Sequence, residues 1–110
     1  MPRPIEALIH TEALAHNLER ARQQAPDARV WAVVKANAYG HGLLTCAEAV
    51  RDVADGFALL EVSEAMRLRA AGFTQPILML EGFFTENDLC LAAAHQISTV
   101  IHCDEQVRML

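Results

Sequence analysis

Residues 30–42 read Val-Trp-Ala-Val-Val-Lys-Ala-Asn-Ala-Tyr-Gly-His-Gly, and this stretch decides the fold. The run from Val30 to Val34 has no helical period and is rich in β-branched residues, which predicts a strand buried on both faces. Lys35 follows at the carboxyl end of that strand. A short loop with one tyrosine and two glycines comes next, and a helix-like segment begins at Leu43. Open α/β sheets and α/β barrels carry their functional residues at this end of the strands, so Lys35 is the first candidate site residue.

Lys35 has a side chain that can act as a nucleophile. Burial of an amine disfavours its charged form, and a neutral lysine amine forms a Schiff base with a carbonyl substrate or with pyridoxal phosphate. Gly40 and Gly42 would let the backbone approach a phosphate closely, and the hydroxyl of Tyr39 could donate a hydrogen bond to a phosphate oxygen. On this pattern alone, a lysine that ends a strand is more often a surface side chain whose charged end reaches solvent.

Predicted strands and helices alternate along the whole chain. Continuous apolar runs at 57–60 and 77–80, and the segment Ser-Thr-Val-Ile at 98–101, predict three further strands, each followed by a segment with helical spacing. A strand that is apolar throughout, instead of at every second residue, is typical of a parallel sheet covered on both faces. The predicted class is therefore α/β.

The residues that follow the four strands are almost evenly spaced. They are Lys35, Glu61, Glu81 and His102, at intervals of 26, 20 and 21 residues. This interval is close to the length of one βα unit of a barrel, although the pattern alone does not distinguish a barrel from an open doubly wound sheet. A further short apolar run, Ile5–Ile9, predicts an additional strand ahead of the first helix.

Local signals predict where several helices begin and end. Thr11 and Ser63 are candidate N-caps. Thr85, with Asp88 three residues later, resembles a capping box, and Gly72 is placed as the residue that follows a C-cap.

The helix predicted after Ser63 has one apolar face. Ala65 and Leu68 share that face, whereas Glu64 and Arg67 lie on the opposite one. We therefore expect the carboxylate of Glu64 to be solvated.

The composition bounds the domain count and the kinds of partner. At 110 residues the chain is at most one domain. Its net charge of −5 and its lack of a basic cluster give nucleic-acid binding no electrostatic basis, and no apolar run reaches membrane-spanning length. The amino end has no signal-peptide pattern, and Cys46, Cys90 and Cys103 have neither disulfide nor metal-ligand spacing. We expect each to be a small core residue in a reducing compartment, which predicts a cytoplasmic protein without a metal site.

Three segments resemble the alanine racemase family. Residues 32–42 are similar almost letter for letter to the family's cofactor-lysine signature. Residues 76–84, Pro-Ile-Leu-Met-Leu-Glu-Gly-Phe-Phe, resemble the end of a later barrel strand. Residues 9–18, Ile-His-Thr-Glu-Ala-Leu-Ala-His-Asn-Leu, resemble the family's opening strand and first helix. The likeness is to the racemases of Gram-negative bacteria and covers only the amino-terminal third of a family member.

The resemblance implies a (β/α)8 TIM-like barrel. Residues 1–110 would form a single partial domain, with an amino-terminal strand and helix followed by the first four βα units, about half of the barrel. The Ile5–Ile9 strand would join a second, carboxy-terminal β domain, which is absent from this chain.

The resemblance also implies an activity, the interconversion of L-alanine and D-alanine. Lys35 would hold pyridoxal 5'-phosphate as a Schiff base and then act as acid or base on one face of the substrate Cα. Tyr39 matches the family tyrosine that hydrogen-bonds the cofactor phosphate. Leu80 matches an apolar residue that lines the cofactor, although core packing would explain it as well. In the family a tyrosine of the second subunit serves the opposite face, so a homodimer is implied, and D-alanine would serve peptidoglycan synthesis or alanine breakdown.

Two other interpretations remain open. A non-catalytic pyridoxal phosphate-binding barrel protein shares the fold and the lysine position, although its signature differs from residues 35–40. A structural or interaction fragment would fold without cofactor. The family's second catalytic tyrosine and most of its phosphate-binding groups would lie beyond residue 110, and half a barrel leaves two open sheet edges. We therefore expect the chain alone not to racemise alanine and to self-associate.

Overall fold

A computed structural model describes residues 3–110 as an alternation of helices and parallel strands. In chain order the elements are α1 (Thr11–Gln24), β1 (Trp31–Val33), α2 (Lys35–Tyr39), α3 (Leu43–Ala49), β2 (Gly56–Leu59), α4 (Val62–Ala70), β3 (Ile77–Met79), α5 (Glu86–Ala94), β4 (Ile97–Thr99) and α6 (Asp104–Met109). The short element α2 is a left-handed turn, which belongs to the candidate site.

The four strands form one parallel sheet in the order β1-β2-β3-β4. The register places Trp31 opposite Gly56, Ala58 opposite Leu78, and Leu78 opposite Ser98. Strands that follow each other in the chain are neighbours in the sheet, and the order never reverses as it does at the switch point of a doubly wound sheet. The predicted α/β class is confirmed, with part of a barrel present and the carboxyl ends of the strands at one rim.

The sheet has one face covered by helices and one open face. The largest fully buried side chains of the strands lie on the covered face, and they are Phe57, Leu59, Ile77 and Met79. Phe73 extends this core, because its ring meets that of Phe57 edge-on at a centroid distance of 5.5 Å. On the open face Trp31 remains 43% exposed. The expectation that the first strand is buried on both faces is wrong for the described residues, since nothing in 3–110 covers the inner side of β1.

Three local predictions are also wrong. Residues 5–9 form no strand, because no strand within residues 3–110 pairs with them and supplies partners for their backbone groups. Helix α1 includes Thr11 and has His10 at its N-cap. Helix α4 begins earlier than Ser63 predicted, with Glu61 at its N-cap, and neither cap makes a side-chain hydrogen bond.

Two other helix ends were predicted correctly. The Thr85 hydroxyl accepts a hydrogen bond from the Asp88 backbone N–H at 3.1 Å, and the Asp88 carboxylate accepts one from the Thr85 N–H at 3.2 Å. Gly72 follows the C-cap residue Ala71 with a φ of +90°, the left-handed conformation that glycine adopts without a Cβ penalty.

The three cysteines differ in burial. Cys46 lies in the core, and this burial raises the pKa of its thiol. Cys90 on α5 and Cys103 at the N-cap of α6 are exposed, so the prediction that all three are core residues holds for Cys46 alone.

Arg69 of α4 ties together the amino-terminal side of the sheet. Its guanidinium donates hydrogen bonds of 2.8–3.0 Å to the backbone carbonyl oxygens of Phe73, Gln75, His95 and Gln96. These bonds join α4 to the loops that lead into β3 and β4. Burial lowers the pKa of the Arg69 guanidinium, but an arginine remains charged at neutral pH.

Candidate active site

Directly after Lys35 the backbone makes a left-handed turn. Ala36, Asn37, Ala38 and Tyr39 have φ angles of 52°, 56°, 54° and 57°. L-residues avoid this region because Cβ approaches the carbonyl oxygen too closely, at a cost of about 1–2 kcal/mol per residue. Backbone strain of this kind persists only where the surrounding structure imposes it. The sequence predicted a loop here but not this conformation, since only Asn37 belongs to a residue type that favours it.

Hydrogen bonds within the segment hold the turn between β1 and α3. The Ala38 N–H donates to the Val34 carbonyl oxygen at 2.9 Å. The side-chain oxygen of Asn37 accepts a bond of 2.9 Å from the Leu43 N–H, at the start of α3. Nδ1 of His41 donates to the Ala38 carbonyl oxygen at 2.9 Å. His41 therefore has a structural role in this loop.

A buried carboxylate from another βα unit contacts the same turn. Glu64, in the first turn of α4, is 9% exposed, and its Oε2 accepts a hydrogen bond from the Asn37 N–H at 2.9 Å. Within residues 3–110 it is the one hydrogen bond that connects α2 to another βα unit. The expectation that Glu64 is solvated is wrong, because the turn after β1 packs over the start of α4. Helical periodicity does not reveal this contact, since carboxylates are common in the first turn of exposed helices.

Lys35 and Tyr39 stand at the two ends of α2 and lie close together. Nζ of Lys35 is 5.8 Å from the centroid of the Tyr39 ring, which is within the range of a cation–π contact. Lys35 is half-buried and Tyr39 is 60% exposed. An amine and a phenol are therefore both accessible from the rim of the sheet.

Leu80 lies at the same rim, directly after β3. Its N–H donates to the Leu59 carbonyl oxygen at 2.8 Å, which extends the β2–β3 ladder by one residue. Leu80 follows the buried Met79, so strand alternation places it on the face opposite the helices. Lys35 also stands at this rim, two residues beyond the end of β1. The strands that lead to Lys35 and Leu80, β1 and β3, are separated by β2.

Two cavities lie near this rim, among the helices. One of about 400 Å³ lies between α1, β1 and α3, with Tyr39 and His41 in its wall. Another of about 300 Å³ lies between α4 and the loop after β3, beside Phe84. Neither wall includes Lys35 or Leu80.

A buried glutamine of α6 organises the rim beside β3 and β4. Oε1 of Gln106 accepts a hydrogen bond from the His102 N–H at 2.8 Å, and its Nε2 donates to the Phe83 carbonyl oxygen at 3.1 Å. Nε2 of His102 donates to the Glu81 carbonyl oxygen at 2.8 Å. Two of the predicted strand-end residues thus take part in structural contacts. Sequence reasoning missed Gln106, since an isolated glutamine carries no motif.

Within residues 3–110, no three His, Cys, Asp or Glu side chains are arranged so that they could hold a metal ion. No helix in that range combines the length and the apolar character needed to cross a membrane. The rim offers instead the amine of Lys35, the phenol of Tyr39 and the backbone of the left-handed turn.

Comparison with protein families accounts for almost the whole chain. The family model described as alanine racemase, N-terminal domain, matches residues 9–110. The chain belongs to this family. An alanine racemase of Ralstonia pickettii is 56% identical over 110 residues, which are all of this chain and 29% of that protein. The resemblance inferred from the cofactor-lysine signature is confirmed.

Solved alanine racemase structures share the fold. The biosynthetic alanine racemase of Pseudomonas aeruginosa superposes with a TM-score of 0.86 at 40% identity, over 90% of this chain and 28% of that one. The alanine racemase of Acinetobacter baumannii superposes with the same TM-score at 36% identity, over 91% of this chain and 28% of that one. The chain therefore spans less than a third of the length of the racemases that it matches, and its four strands correspond to part of their barrel.

Proposed function

We propose that this chain is the part of an alanine racemase that carries the cofactor lysine, Lys35. The observation that supports the proposal best is the position of Lys35 just after β1, at the carboxyl-end rim of the sheet, with its Nζ 5.8 Å from the centroid of the Tyr39 ring. Curated relatives named alanine racemase, at 54–61% identity, favour this activity over that of a non-catalytic carrier. The chain spans about 29% of those relatives, so the activity proposed is that of a protein of their length.

The residues at the rim fit pyridoxal 5'-phosphate. Its aldehyde would be held as a Schiff base by a primary amine, and Lys35 is the only lysine in the sequence. The Tyr39 hydroxyl would donate to a phosphate oxygen, and Leu80 would give the ring an apolar contact. When bound, pyridoxal phosphate acts as an electron sink that makes the Cα proton of an amino acid removable.

Lys35 would have a second role in the proposed reaction. With the cofactor and alanine bound, the Lys35 amine would remove or return the Cα proton on one face of the substrate. Inversion needs another acid–base group on the opposite face. We place that group on the partner subunit of a homodimer, outside this chain.

The cellular role follows from the same proposal. The substrates would be L-alanine and D-alanine, and the reaction would take place in the cytoplasm. D-alanine formed there would supply peptidoglycan, and the reverse direction would serve alanine breakdown.

The first test is reductive labelling of the purified chain. The folded chain is incubated with pyridoxal phosphate, reduced with borohydride and mapped by mass spectrometry, with the α-amino group of Met1 as an internal reference. We expect a Lys35 adduct that forms faster in the folded chain than in a denatured sample, and none at this position in Lys35→Ala. Equal labelling of Lys35 in the folded and the denatured chain would contradict a preorganised cofactor site.

The second test measures the activity itself. Residues 1–110 replace the matching segment of the Ralstonia pickettii alanine racemase, and D-alanine formation from L-alanine is assayed with added cofactor. The chimera should racemise alanine, whereas the same chimera with Lys35→Ala should not. A folded, cofactor-loaded chimera without activity would argue against the proposal.

A further inference from the structure

We propose that Glu64 is a positioning residue: its carboxylate holds the left-handed turn after Lys35 and thereby sets where Lys35 and Tyr39 stand relative to each other. This inference rests on the proposed function, because it gives the cofactor lysine and the phosphate-binding tyrosine a common support. Glu64 itself would touch neither cofactor nor substrate.

The strained turn is held by local hydrogen bonds and by one further bond from outside its own segment. Three of its four residues, Ala36, Ala38 and Tyr39, are types that rarely adopt a positive φ, and here they do so in succession with Asn37. The alanine side chains have no polar atoms that could stabilise the conformation locally. A run of this kind is retained only where neighbouring structure imposes it.

Glu64 supplies such support at the middle of the turn. Its Oε2 accepts the Asn37 N–H at 2.9 Å, and the Glu64 side chain is buried although Asn37 is exposed. A hydrogen bond to an ionised carboxylate is stronger than one between neutral groups. Glu64 stands on α4, which follows β2, so the bond fixes the turn to a different and rigid unit of the fold.

The turn determines how the two candidate cofactor contacts are arranged. Lys35 precedes the left-handed residues and Tyr39 is the last of them. If Asn37 returned to the right-handed region, the chain direction after it would change and Tyr39 would leave its position 5.8 Å from Nζ of Lys35. A carboxylate on α4 can thus control the geometry of the site without contacting any ligand.

The test combines amide exchange with labelling of the single lysine. Hydrogen exchange is measured by NMR in the 110-residue chain for wild type, Glu64→Leu, Glu64→Gln and the control Glu48→Leu, which removes an exposed carboxylate from α3. Leucine removes the acceptor, whereas glutamine keeps a neutral one. The Leu80 amide, bonded to the Leu59 carbonyl oxygen within the sheet, reports on global stability.

We expect Asn37 to exchange about tenfold faster in Glu64→Leu and several-fold faster in Glu64→Gln, while the Leu80 amide keeps its wild-type rate in both. In Glu48→Leu, which removes a carboxylate paired with Arg51, the Asn37 and Leu80 amides should keep wild-type rates. Unchanged Asn37 exchange in Glu64→Leu would overturn the inference. An equal rise in the exchange rates of the Asn37 and Leu80 amides would also overturn it, because the whole fold would then have been destabilised. If the leucine variant does not fold, Glu64→Gln decides alone, and an unchanged Asn37 rate in it would likewise overturn the inference.

Labelling then separates positioning from a merely structural role. The rate of reductive labelling of Lys35 with pyridoxal phosphate is divided by its rate with pyridoxal, which lacks the phosphate, and this ratio is the preference for the phosphate. We expect the preference to fall in Glu64→Leu and to be largely restored in Glu64→Gln. Faster Asn37 exchange with an unchanged preference would show that Glu64 holds the turn but does not place the site. If wild type labels no faster with pyridoxal phosphate than with pyridoxal, the result would count against the proposed function. The Asn37 exchange rates would still test whether Glu64 holds the turn.

Discussion

The indole ring of Trp31 lies over Gly56, its partner in the β1–β2 register. A Cβ built on Gly56 would lie 2.6 Å from Cε3 of the indole and 2.9 Å from the Pro76 carbonyl oxygen. Both distances are well inside van der Waals contact. Glycine is therefore required at position 56 because Trp31 of β1 and Pro76, directly before β3, leave no room for a Cβ. An unusual φ is not the reason.

Gly56→Ala should destabilise the chain by about 1–3 kcal/mol, because the added methyl group forces the indole or the backbone to move. The free energy of unfolding from urea titrations measures this loss. Combined with Trp31→Val, the same substitution should cost less, since one of its two clashes has been removed. If Gly56→Ala lowers the free energy of unfolding equally in wild type and in Trp31→Val, the indole does not constrain position 56.

Arg69→Lys should lower the free energy of unfolding by about 2 kcal/mol. A lysine amine has three donors and no planar fork, so it cannot replace the bonds that the guanidinium donates to four carbonyl oxygens. Urea titrations check the value. Arg67→Lys is the matched control on the same helix, at an exposed position, and should change stability by less than about 0.5 kcal/mol. Equal effects at both positions would refute the structural role of Arg69.

Thr85→Ala should cost about 1 kcal/mol, because it removes the hydroxyl that accepts the Asp88 N–H at the start of α5. Thr85→Ser keeps that hydroxyl and should recover most of the loss. Thermal unfolding followed by circular dichroism compares the three proteins. A serine variant as unstable as the alanine variant would indicate that the methyl group, and not the cap, matters at this position.

Cys46 should be alkylated more slowly than Cys90 and Cys103 in the folded chain, and its reaction should begin at higher pH. Burial raises the pKa of the Cys46 thiol above its ordinary value of 9.0, and the thiolate is the reactive form. Peptide mapping after short iodoacetamide pulses across a pH series measures the three rates. In a denatured control the rates should converge. A Cys46 rate equal to those of the exposed cysteines in the folded chain would contradict its burial.

The same raised pKa has a consequence for stability. The folded chain favours the protonated Cys46 thiol. Its contribution to the free energy of unfolding is therefore fully present below the pKa of the thiol in the unfolded chain, and it is lost as pH rises through the pKa in the folded chain. Stability should therefore decline more steeply in the alkaline range for wild type than for Cys46→Ala. Urea titrations at several alkaline pH values test this, and identical pH dependence in both proteins would contradict it.

Much of the fold could be predicted from short segments. Apolar runs located all four strands of the sheet, with boundaries that differ from the structure by a residue or two. Lys35 was expected at a strand end, and the capping box at Thr85 was found from two residues three positions apart. Single side chains were predicted less reliably, since periodicity placed Glu64 in solvent and residue type alone placed Cys90 in the core. The apolar run at Ile5–Ile9 predicted a strand for which residues 3–110 contain no partner.

The sequence by itself determined the order of strands and helices, the class of fold and the family, because these depend on local composition and on a motif read from consecutive residues. Only the tertiary structure decided the left-handed turn, the burial of Glu64 against it and the four carbonyl contacts of Arg69. The bonds of Glu64 and Arg69 that join separate units link residues 26 or 27 positions apart. Their geometry depends on how whole βα units pack side by side, and no local pattern encodes that packing.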